Sequence, residues 1–73
     1  MAGSVYRVTE VIGTSTESFA DAAKNAIETA AGSVRDLRIA EVVRQDVAIK
    51  DGAIENYRVR LAISFKYDPQ SGG

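Results

Sequence analysis

The chain has 73 residues, nine Lys or Arg, ten Asp or Glu, and neither histidine nor cysteine, for a formal net charge of −1. That length limits it to one domain, and the near-balance of charge argues against nonspecific binding to nucleic acid or anionic membranes. Without histidine or cysteine there is no imidazole acid–base chemistry, thiol nucleophile, disulfide or zinc–thiolate site.

No apolar run is long enough to span a membrane. The opening "MAGSVYR" lacks the apolar segment of a signal peptide, so a cytoplasmic location is expected. A single core of this size barely offsets the entropy of ordering the chain. Burial between copies of the chain is the expected remedy. One domain over 1–73 is expected, with an ordered core from about 5 to 67 and a frayed polar tail, "DPQSGG".

Val5–Ile12, "VYRVTEVI", is rich in β-branched and aromatic types and predicts a strand, ended by Gly13. Tyr6, Val8 and Ile12 fall on one face, Val5 and Val11 on the other, which predicts partial cover on both sides. "TSTESFADAAKNAIETAAGS" predicts a helix. Ser15 and Ser18 are its candidate N-caps, Asp21 completes a weak capping box, and Gly32 is the C-terminal stop. Phe19, Ala22, Ala23, Ala26, Ile27 and Ala30 share one helical face, and the small alanines permit a close approach to a sheet.

Leu37–Lys50 and the run from Ala53 to Tyr67 predict a hairpin, because Asp51-Gly52 suits a type I′ turn. An unbroken register sets Lys50 against Ala53, Val42 against Leu61, and Arg44 against Val59 on an oily face. It sets Ile39 against Ser64, Glu41 against Ala62, Val43 against Arg60, and Gln45 against Arg58 on the other. A bulge would shift these pairs. Val59, Leu61, Ile63, Phe65 and Tyr67 alternate with Arg60, Ala62, Ser64 and Lys66, so the former stripe is expected beneath the helix. The expected fold is α+β, in the order β-α-β-β. A right-handed crossover leaves the first two strands parallel with the third between them, giving a three-stranded antiparallel sheet of order 1-3-2.

Two readings are open for the second hairpin face. Glu41, Gln45, Arg58 and Arg60 form either a solvated surface with weak ion pairs or the wall of a cavity or subunit interface that holds an anion or a carboxylate. Asp46, Asp51 and Glu55 near the hairpin tip are either solvated and turn residues or, gathered from several copies at a symmetry axis, oxygen ligands for calcium or magnesium. No nucleophile–base pair and no phosphate-binding glycine loop is present, so no enzyme is expected.

The motif Y-x-V-x-E-x-x-G-T-S, here Tyr6, Val8, Glu10, Gly13, Thr14 and Ser15, continues through a helix into Glu41-Val42, Asp51-Gly52 and Phe65. In this the chain resembles the dodecins from about Val5 to Tyr67. The resemblance implies a hollow homododecamer with helices outside and sheets lining the interior. It also implies flavins stacked in pairs at two-fold axes and buffered rather than turned over. The family's flavin-stacking tryptophan sits in L-D-W-F-E-V, where this chain has "LRIAEV" with Ile39. Its flavin-bonding glutamine corresponds to Arg58, and its R-G to Asp46-Val47.

The match is closer to a tryptophan-less branch carrying Q-D, as Gln45-Asp46 do here, whose members are described as calcium-binding. The expectation is therefore a non-catalytic storage shell, holding calcium or magnesium at its axes through Asp46, Asp51 and Glu55. The alternative is riboflavin or FMN sequestration by a modified site of Ile39, Glu41, Gln45, Arg58 and Arg60.

Overall fold

A computed structural model describes residues 3–66; Tyr67 and the polar tail lie outside the described residues. The elements are β1 (Tyr6–Ser15), α1 (Phe19–Ala31), β2 (Leu37–Lys50) and β3 (Ala53–Lys66). They form one antiparallel sheet in the order β1-β3-β2, as the crossover argument requires.

The oily stripe of β3 is the core. Val59, Leu61 and Ile63 are each 1% exposed, beneath Ala22 and Ala26 of α1. Val11, Phe19, Ala23, Ala30, Leu37 and Ala40 pack around them. Full burial of each large aliphatic contributes roughly 1.5–3 kcal/mol. Ile27, one step round the helix from Ala26, emerges at the rim rather than in the core.

Ser18 is the N-cap: its hydroxyl accepts from the Asp21 N–H at 2.9 Å. Ser15 is not the cap but buttresses it, donating to Asp21 Oδ2 at 2.7 Å and accepting from the Glu17 N–H at 2.8 Å. Gly32 caps the C-terminus at φ −70°, in the right-handed region.

Gly13 does not end β1, which runs on to Ser15. Its missing side chain is needed for the helix instead. A Cβ there would run into the Ala22 carbonyl oxygen and come within 2.8 Å of the Ala26 Cβ. Glycine in the strand and alanine on the helix let the two backbones nearly touch.

The hairpin turn has positive φ at both centres, 51° at Asp51 and 78° at Gly52, the type I′ form. The register shifts three times, placing Arg38 and Val43 of β2 and Glu55 of β3 as extra, bulged residues. Val42 still faces Leu61, but past Val43 the sense inverts. Arg44 opposes Arg60, Gln45 opposes Val59, and Asp46 opposes Arg58. This corrects the unbroken register, which set Arg44 against Val59 and Gln45 against Arg58. The bulge keeps the Arg44 guanidinium off the Val59 core and turns it to the open face, where its charge stays hydrated. The Glu55 bulge cancels the shift, so Lys50 meets Ala53 at the tip as expected.

The molecule extends 55 Å along its longest axis. A helix of 13 residues is only about 20 Å long. Much of the hairpin is therefore uncovered, and Ile49 and Ile54, paired at its tip, are exposed.

Gly13→Ala should destabilise the fold by about 1–3 kcal/mol, the usual cost of overpacking. Urea unfolding at one fixed protein concentration would measure it; an unchanged midpoint would mean that α1 can lift off β1 freely.

Candidate functional site

The sheet has one face under α1 and one open face. Alternation and register assign the open face to Tyr6, Val8, Glu10, Ile12 and Thr14 of β1 and to Arg58, Arg60, Ala62, Ser64 and Lys66 of β3. β2 adds Ile39, Glu41, Arg44 and Asp46. Four of these, Tyr6, Val8, Ile12 and Ile39, are large apolar residues left exposed. The surface is thus a mosaic of oily and charged groups.

Two ion pairs cross the strands. Arg58 grips Asp46 with two hydrogen bonds, Nε to Oδ1 at 2.7 Å and Nη2 to Oδ2 at 3.3 Å. This fork-on-fork geometry is the strongest that an arginine makes with a carboxylate. The hydrogen bond from Arg58 holds the Asp46 carboxyl below the ordinary carboxylate range, and the same contact raises the Arg58 guanidinium. Arg60 Nη1 reaches Glu10 Oε1 at 3.3 Å.

The predicted site residues divide. Ile39, Glu41, Arg58 and Arg60 do share the open face. Ile39 is 67% exposed and lies opposite Ser64, whose hydroxyl donates to the Ile39 carbonyl at 3.4 Å. Glu41 lies opposite Ala62, but Arg60 turns away from it toward Glu10 on the other side. Gln45 does not join them. The Val43 bulge sends it to the α1 side, opposite Val59. Asp46 is engaged by Arg58, Asp51 forms the turn and Glu55 is bulged. Among the described residues no three acidic, histidine or cysteine side chains of one chain converge as metal ligands.

Sequence reasoning missed Glu10 and Arg44. Glu10 was legible, because antiparallel pairing of β1 with β3 sets it opposite Ala62, on the face that also carries Arg60. Arg44 was hidden by the bulge. A separate groove of about 510 Å³ runs between the free edge of β1 and α1, lined by apolar Val11, Ile12, Ala26, Ala30 and Val34 and by polar Thr9, Thr14, Asn25, Thr29 and Ser33.

Comparison with known proteins places this architecture. The family model described as Dodecin matches residues 5–68. The chain belongs to the dodecin family. It is 44% identical over 66 residues to calcium dodecin of Mycobacterium tuberculosis, covering 90% of this chain and 93% of that protein. A solved structure of the calcium-chelating antigen calcium dodecin from the same organism, carrying a novel calcium-binding site, is 46% identical. It has a TM-score of 0.79 and covers 90% of this chain and 94% of that one. Dodecin from Streptomyces coelicolor gives a TM-score of 0.87 at 35% identity, covering 93% and 97%. Dodecin from Streptomyces davaonensis gives 0.85 at 33%, covering 92% and 98%. In this dodecin the α+β sheet of order 1-3-2 is therefore the family fold. No helix among the described residues is long and apolar enough to cross a membrane.

Arg58→Ala should raise the Asp46 titration midpoint toward the ordinary carboxylate range, read by carboxyl carbon NMR. The folded-state value is depressed, so the pair stabilises the protein at pH values above the ordinary range. That contribution fades as pH falls through the lowered value. A midpoint unmoved by the substitution would show that the fork does not persist in solution.

Proposed function

We propose that this dodecin closes into a hollow homododecamer, with α1 outward and the open face inward, and that it stores calcium rather than flavin without catalysing a reaction. The incomplete cover of the single chain supports the shell. One sheet face carries exposed Tyr6, Val8, Ile12 and Ile39, the hairpin tip carries exposed Ile49 and Ile54, and a groove of mixed apolar and polar lining flanks β1. Exposed apolar patches of this kind mark interfaces.

The observation that carries the choice of ligand is Ile39. It stands on the open face at the place where the family's flavin-stacking tryptophan is expected. A branched aliphatic offers contact but no π-face on which an isoalloxazine could stack. Arg58, at the flavin-bonding glutamine's place, is committed to Asp46. Phe19 and Tyr57, with ring centroids 5.1 Å apart, pack against each other, and Tyr57 faces the α1 side through its pairing with Val47.

The likeness to calcium dodecin supports calcium as the cargo. Of the three candidate ligands, Asp46 is neutralised by Arg58, which leaves Asp51 and Glu55 at the hairpin end as the carboxylates free to bind. Calcium takes six to eight oxygens, so the same residues from neighbouring copies, with water, would complete the shell.

Native mass spectrometry should show twelve copies, and a monomer at micromolar concentration would overturn the shell. Calorimetric titration of calcium into chelator-treated protein should give saturable binding, weakened at least about tenfold by Asp51→Asn combined with Glu55→Gln, a loss of about 1.4 kcal/mol. Riboflavin fluorescence should stay unquenched; strong quenching at stoichiometric protein would favour the modified flavin site instead.

A further inference from the structure

The open face has a feature that calcium storage does not account for and that the flavin alternative, built on Arg58 and Arg60, leaves incomplete. Arg44 and Arg60 stand directly opposite each other on adjacent strands, and Arg58 shares their face two residues along β3. Like charges in directly opposed positions destabilise a sheet. The three arginines surround a depression of about 50 Å³, whose lining is completed by Ile12 and Asp46.

Their charge is only partly compensated. Asp46 accepts hydrogen bonds from Arg58 and Glu10 engages Arg60, while Arg44 makes no hydrogen bond or salt bridge among the described residues and shares only the longer-range attraction of Asp46. Glu41, further along β2 opposite Ala62, forms no ion pair with them among the described residues. Three guanidinium charges thus face two carboxylates. Donors are in surplus as well. Each guanidinium carries five N–H groups, and Arg58 spends only Nε and Nη2 on Asp46, while Arg60 spends only Nη1 on Glu10. Free donors from two strands therefore border one small hollow.

The fold places this cluster actively. Without the Val43 bulge, Arg44 would face the helix side; with it, Arg44 joins Arg58 and Arg60. Arginine is the side chain best suited to gripping an oxyanion with paired donors.

We propose that Arg44, Arg58 and Arg60 form a binding site for a doubly charged tetrahedral oxyanion of the phosphate class. The site goes beyond cation storage and uses none of Asp51, Glu55 or Ile39. Asp46 is its internal competitor, because it occupies the Arg58 donors that an anion would otherwise use.

The test is calorimetric titration of inorganic phosphate into the full-length, metal-free protein at constant ionic strength, with circular dichroism as a check on folding. Wild-type protein should bind saturably, with Kd below about 1 mM. Arg44→Gln should weaken binding at least about tenfold, or about 1.4 kcal/mol. Asp46→Asn should tighten it, since it frees Arg58 and removes a negative charge. Arg38→Gln, at the far end of β2, should leave it unchanged. The proposal fails if wild type shows no saturable binding up to about ten times that limit. It also fails if Arg44→Gln binds as wild type, if Asp46→Asn binds more weakly, or if chloride at equal concentration displaces phosphate. Should Arg44→Gln misfold, the direction of the Asp46→Asn change decides alone.

Discussion

The near-contact of α1 with Gly13 governs everything else in this chain. Because no Cβ stands between the strand and the Ala22–Ala26 surface, the helix sits low over β1 and β3 and seals Val59, Leu61 and Ile63 from water. A larger residue at any of these small positions would lift the helix and reopen the stripe. The same closeness confines cover to one face and to part of the hairpin's length. The open face and the exposed tip are thus direct consequences of how the core is made.

The second determinant is the pair of compensating bulges at Val43 and Glu55. Between them a stretch of hairpin is inverted relative to a regular ladder. A charged residue that simple alternation would press into the core becomes part of an arginine cluster, and a carboxylate is carried into register with Arg58. The chemistry of the open face is therefore set by backbone irregularities as much as by side-chain identity.

This explains which parts were legible in the sequence. The alternation of β3, the small-residue stripe of α1, the Ser18 cap and the Asp51-Gly52 turn are local signals, and each appears where its pattern placed it. The sheet order followed from the handedness of a crossover. Gln45 and Arg44 were assigned to the wrong faces because nothing local in "EVVRQDV" marks which residue bulges; the choice is made by the cost of burying a guanidinium against Val59. The partner of Arg60 was missed for a different reason. Glu10 lies fifty positions away in the chain, and only the pairing of the first and last strands brings the two together.

The irregularities of β2 carry one more consequence. As an outer strand of 14 residues it would present a long straight row of unpaired amides and carbonyls to any neighbouring strand. Arg38 and Val43 interrupt that row twice. A broken, twisted margin is a poor template for strand addition. The protein can thus keep abundant oily surface exposed on its open face and hairpin tip while remaining a bad seed for fibrils.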